Sequence, residues 1–101
     1  MSTRDALLPI IRQMQDAGDD RGRALVLLAC PDAVLLKYHP VFSACCARAA
    51  FAPGVDYVEL RVAAMHAARD AHGLMPAGLA RMLETCRVAL SGFAAGAAGQ
   101  S

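Results

Sequence analysis

"PAGLARMLETCRVALSGF", residues 76–93, admits two backbones, and the choice between them decides how the C-terminal part of the chain folds. Left unbroken, it is an amphipathic helix. Leu79, Met82, Leu83, Cys86, Leu90 and Phe93 follow one another at spacings of 3, 1, 3, 4 and 3, which lays a wide apolar stripe along one side. Arg81, Glu84, Arg87 and Ser91 then face away, and Glu84 stands three residues from both arginines, where opposite charges help a helix slightly. Broken after Leu83, the same residues make two short helices joined at Glu84. The two backbones differ at one adjacent pair. A continuous helix turns Cys86 inward and Thr85 outward; a broken one buries Thr85 and puts Cys86 early in a second helix.

The broken reading resembles the DNA-reading helix-turn-helix of the phage-repressor and Cro type. Counting Pro76 as position one, Leu79, Ala80, Leu83, Leu90 and Phe93 supply that pattern's small or apolar skeleton. The resemblance implies a transcriptional regulator whose second helix enters the major groove and whose first residues meet the bases. It would bring Thr85, Arg87, Val88 and Ser91 to the DNA. The ninth position of the pattern is the turn, where φ > 0 favours Gly. This chain has Glu84 there, which also sets a negative charge near the phosphates. A straight helix needs no strained residue, so the expectation is an unbroken helix.

The rest of the chain leans the same way. Its 101 residues suit one domain with a modest core. It is 56% hydrophobic, yet only five residues are aromatic and 22 are Ala, the best helix former. These features predict an all-α fold, a compact single-domain bundle of five to six helices over residues 1–93, with 94–101 as a flexible tail. A thin, Ala-lined core commonly gains stability from a partner, often a second copy. Ten Lys and Arg against nine Asp and Glu give a net charge of +1, which argues against binding nucleic acid through bulk charge. Arg4 and Asp5 interrupt the N-terminus before a signal sequence could form, and the longest apolar run, residues 24–30, is too short to span a bilayer. A cytoplasmic protein with no membrane partner is expected.

Local signals place the elements. Residues 2–5 could cap a first helix, with Pro9 either near its start or at a kink and Gly18 as its stop. Asp19 and Asp20 are candidate N-caps for a helix over 21–30; the apolar run 24–30 also suits a short strand, but nothing else in the chain looks like a strand partner, so a helix ended by Pro31 is expected. Asp32 could cap a short helix over 33–38, and Pro40 opens another over 40–52. "APGV", residues 52–55, reads as a break. Asp56 with Glu59 forms a capping-box pattern, and Val55 with Leu60 a hydrophobic staple, so the next helix should start at Tyr57 and run to Gly73. On it, Val58, Val62 and Met65 make one apolar stripe, and Leu60, Ala64, Ala67 and Ala71 another. A helix apolar on two sides is central in its bundle or covered by a partner.

Groups that could carry chemistry are sparse. Four cysteines, Cys30, Cys45, Cys46 and Cys86, would form a thiol cluster if the fold gathered them, but no Cys-x-x-Cys spacing is present. Cys45 and Cys46 are adjacent and would point about 100° apart on a helix, so both rarely reach one ion, with or without His39. His66, Asp70 and Glu59 share a polar stripe without a nucleophile or an oxyanion site beside them. No glycine-rich loop cradles phosphate. The sequence therefore points to a small non-enzymatic protein–protein interaction module that self-associates as a homo-oligomer and holds no cofactor. A helix-turn-helix regulator over 76–93 is the second reading, and a thiol-based metal or redox sensor the third.

Overall fold

Asp19 sets the first well-defined helix start: its extended backbone (φ −148°, ψ 171°) lets the carboxylate accept a hydrogen bond from the Gly22 N–H at 2.8 Å. A computed structural model describes the backbone of residues 3–67, 69 and 71–96, and the side chains of those from Pro9 on. It is an all-α bundle of five helices: α1 (Thr3–Asp16), α2 (Asp20–Ala29), α3 (Asp32–Arg48), α4 (Ala52–His66) and α5 (Ala77–Ala94). α1 runs through Pro9 and stops two residues before Gly18. The proposed cap at residues 2–5 falls outside the described side chains.

The helices form a ring. α5 packs on α2 and α4, α4 on α3, and α3 on α1, which closes back on α2. The shortest dimension is 20 Å, about two helices thick. Phe42, Phe51, Met14, Leu27, Leu35, Leu90, Val58 and Cys46 fill the centre, each less than 2% exposed. Phe51 and Phe93 meet edge to face, with ring centroids 5.1 Å apart and planes at 84°.

Several expectations are corrected. The short helix over 33–38 and the one over 40–52 are a single α3 with a kink at Tyr38 (φ −115°, ψ 17°). Pro40, lacking an N–H and crowding the preceding turn, bends the helix without ending it. Asp32 is the first residue of α3 and not its cap.

The break at 52–55 lies earlier, at 49–51. Ala50 takes φ 57°, the Phe51 N–H donates to the Cys46 carbonyl at 2.8 Å, and Phe51 is the N-cap of α4. Pro53 sits in the first turn, where its missing N–H costs nothing. Gly54 is buried inside the helix, so the Pro-Gly pair starts α4 instead of interrupting the chain. The capping box at Asp56 and Glu59 is consequently not formed, because both lie within α4.

α4 also ends early, at His66 and not at Gly73. The carbonyl of Ala64, freed at that end, accepts from the Ala67 N–H at 3.4 Å and from Arg69 at 3.3 Å. Of the expected stripe, Val58 is fully buried and Val62 and Met65 are half-buried. The expected His66–Asp70 pair involves Asp70, which lies outside the described residues.

Arg61 ties three helices together. It projects from α4, and its guanidinium donates to the carbonyls of Leu27 (3.3 Å) and Cys30 (3.0 Å) at the C-terminal end of α2. It also forms an ion pair with Asp32 at the start of α3 and lies 5.5 Å from the Tyr57 ring centroid. Positive charge at a helix C-terminus satisfies carbonyls that have no partner within the helix. In the last turn of α2 there is no basic residue, and Arg61 supplies one from elsewhere in the chain.

Candidate functional site

α5 is continuous from Ala77 to Ala94, and Pro76 is its N-cap. The backbone passes through Glu84 without a turn, so residues 76–93 do not form a helix-turn-helix. Thr85 is exposed and Cys86 half-buried, the arrangement of a straight helix. Two side chains follow the helical ladder: the Thr85 hydroxyl donates to the Arg81 carbonyl and the Ser91 hydroxyl to the Arg87 carbonyl, both at 3.0 Å. Thr85, Arg87 and Val88 lie on the outer side of this helix and Ser91 on its flank, not at the start of a second helix.

The inner face of α5 carries Leu83, Cys86, Leu90 and Phe93 against the core. Ala94, the first residue of the expected tail, also packs there, and its carbonyl accepts from Arg21 of α2 at 3.1 Å. Residues 97–101 lie outside the described residues. The outer face holds what sequence arithmetic misassigned. Met82, expected in the apolar stripe, is 53% exposed, and Val88 is 55% exposed. The stripe read from the sequence is wider than the surface that α2 and α4 cover. Beside Met82, a shallow groove of about 330 Å³ runs between α4 and α5, lined by Leu60, Arg81, Met82, Thr85 and Cys86.

Small residues stand on the same face as Met82. Gly78, Met82, Thr85, Ala89 and Gly92 recur at spacings of 4, 3, 4 and 3, which keeps them on one side of the helix. A Cβ added at Gly78 or Gly92 would meet nothing within 4 Å, so no contact within the chain requires glycine at either position. Glu84 and Arg87 flank the face as a mutual ion pair, Nε to Oε2 at 2.8 Å. The Arg87 hydrogen bond holds the Glu84 carboxyl below its ordinary range. Among the described residues, Arg81 has no side-chain partner.

Cys30, Cys45 and Cys46 are buried, Cys86 is half-buried, and all four are free thiols. Among the described residues, no three His, Cys, Asp or Glu side chains come together in a group that could hold a metal. Burial pushes the Cys46 thiol up to about 11, and burial also raises Cys30 and Cys86. A raised thiol stays neutral and is a poor nucleophile and metal ligand. Cys45 lies beside Arg48, Nη2 to Sγ 3.6 Å.

The chain matches no family model, no curated protein and no solved structure. Its surface is therefore the ground for a functional reading. Among the described residues, no helix is long and apolar enough to cross a membrane. A larger apolar groove of about 610 Å³ lies between α1 and α2 under Leu25. Two charged residues, Arg12 and Asp16, line that groove against Arg81 alone beside Met82, so the α5 face, with Met82 and Val88 both more than half exposed, is the more apolar candidate.

Proposed function

We propose that this chain is a small non-enzymatic interaction module that self-associates through the outer face of α5. The observation that carries the reading is the exposure of Met82 and Val88 on a helix whose inner face is already packed. Large apolar side chains grouped on one exposed face mark interaction surfaces more often than scattered ones do. The small residues between them let another backbone approach closely.

Equilibrium sedimentation over a range from about 1 to 200 µM, a span suited to weak association, tests the proposal. The expected result is a reversible monomer–dimer equilibrium that Met82→Glu shifts to monomer, with the helical circular-dichroism signal unchanged. A monomer at every concentration sinks the reading. So does a dimer that Met82→Glu and Val88→Glu both leave intact.

A further inference from the structure

We propose that the polar pocket between α1, α2 and α3 is a site of oxidation by a small hydroperoxide, in which Cys45 takes up the oxygen and the guanidiniums of Arg48 and Arg23 stand around it. The site is independent of self-association, because none of these residues lies on α5.

The pocket encloses about 270 Å³, and Gln15, Arg23, Cys45 and Arg48 are its polar lining residues. Drug-sized ligands occupy roughly 300–1,000 Å³, so this space suits a smaller, polar molecule. Arg23 is fixed on the wall. Its Nη1 pairs with Asp20 Oδ1 at 2.9 Å, its Nη2 donates to the Ala17 carbonyl at 3.0 Å, and its side chain is only 17% exposed. Arg48 comes from one turn beyond Cys45 on α3, and its Nη2 donates to Cys45 Sγ at 3.6 Å. Sulfur is a weak acceptor, so this guanidinium keeps donors for an incoming oxygen.

The direction of its hydrogen bond separates Cys45 from the other thiols. The Cys30 thiol donates to the Pro31 carbonyl at 3.6 Å, a contact that exists only while the proton stays on sulfur. Cys46 is fully buried, and Cys86 borders an apolar groove. At Cys45 the sulfur instead accepts from a cation, a contact that strengthens as negative charge builds on sulfur.

The hydroperoxide is the oxidant. The Cys45 sulfur, its proton released, attacks one peroxide oxygen, and the S–O bond forms as the O–O bond breaks. Sulfur gives up two electrons. The departing oxygen takes them with the released proton and leaves as water when the oxidant is hydrogen peroxide. Guanidinium donors beside the sulfur meet the charge that develops on the departing oxygen. The sulfenic acid that remains finds no partner in α3. Cys46 adjoins it with Cα atoms about 3.8 Å apart, closer than the usual disulfide range of about 4.4–6.8 Å. The product therefore carries an added oxygen and not a disulfide.

Hydrogen peroxide added to the folded protein, followed by unfolding in a cyclic 1,3-dione that traps sulfenic acids and by peptide mapping, tests the site. The intact mass is expected to rise by about 16 Da, one oxygen. Cys45 is expected to carry the trapped group at least about fivefold ahead of Cys86, although Cys86 is the less buried thiol. Exposure alone favours Cys86, so oxidation of Cys86 first, or of no cysteine, overturns the proposal. Arg48→Gln, at an exposed position, is expected to slow Cys45 oxidation at least about fivefold with the unfolding midpoint unchanged, and Arg48→Lys, which keeps the charge, to keep part of the rate. An Arg48→Gln protein that oxidises as fast as the parent overturns the site. The preference for Cys45 should vanish in urea; if it persists there, it belongs to the local sequence and the pocket plays no part.

Discussion

Gly54→Ala tests the reading of the α3–α4 corner, because two effects of opposite sign compete there. Gly54 is in the first turns of α4, where replacing Gly with Ala gains up to about 1 kcal/mol of helix propensity. Against this, the new Cβ would stand 2.6 Å from the Cys46 sulfur and 2.7 Å from Cδ2 of Phe51. Neither neighbour can give way freely. Cys46 is fully buried on α3, and the Phe51 ring is 1% exposed and braced edge to face on Phe93. Overpacking of a tight core costs about 1–3 kcal/mol. With two contacts under 3 Å, the upper part of that range applies and exceeds the propensity gain. A net loss of about 2 kcal/mol is expected, which in a domain of this size lowers the melting temperature by roughly 8–16 °C. Thermal and urea unfolding followed by circular dichroism measure it, with Gly18→Ala as the control, since a Cβ there meets nothing within 4 Å. Cys46→Ala in the same chain removes the sulfur and is expected to recover part of the loss. The two changes should therefore couple by at least about 0.5 kcal/mol. If Gly54→Ala is as stable as the parent or more so, the close approach of α4 to α3 is wrong.

Other consequences follow from named contacts. Arg61→Ala removes charge-assisted hydrogen bonds to the Leu27 and Cys30 carbonyls and the pair with Asp32. It should destabilise the protein by about 2–3 kcal/mol, read as a urea midpoint, whereas Asp32→Asn, at the exposed end of that pair, should cost less than about 1 kcal/mol. The Cys46 thiol is raised by burial to about 11. Its stabilising effect is therefore whole below the unfolded thiol value near 9 and is lost as pH climbs through 11. The unfolding midpoint should fall between those pH values more steeply in the parent than in Cys46→Ala; equal slopes would refute the assignment. Iodoacetamide at pH 8 should leave Cys46 unmodified in the native protein, and modification as fast as in urea would contradict its burial.

Much of the fold was legible because its causes are local. Asp19 caps α2 through its own side chain. Alanine richness, with no strand partner for the apolar run 24–30, pointed to the helical class. In α5, Glu84 at the position where a turn needs φ > 0 correctly favoured one helix. What escaped depends on partners distant in sequence. Pro53-Gly54 looks like a chain break by local rules, yet Gly54 is there because the Cys46 sulfur and the Phe51 ring leave no room for a Cβ. The real corner falls on Ala50 at φ 57°, a residue that gives no warning of a left-handed conformation. The end of α4 at His66 has no helix breaker after it, and Arg69 reaching back to the Ala64 carbonyl is visible only in three dimensions. Met82 was misplaced because helical spacing says which residues share a face and not how wide a face the neighbours cover. Arg61 was missed altogether, although it is the sole charge in the otherwise apolar run from residue 60 to 65, and a lone cation in such a setting is a signal.

The position of Arg61 bears on how the molecule opens. A helix end held only by its own neighbours can fray while the rest stays folded. Here the last carbonyls of α2, the first residue of α3 and the middle of α4 share one guanidinium. Releasing α2 therefore strands a cation that is only 11% exposed, and releasing α4 uncovers the end of α2. Local opening on this side is converted into a larger, all-or-none event. In hydrogen exchange, the amides near Leu27 and those around Arg61 should share one opening free energy, although more than thirty residues separate them along the chain.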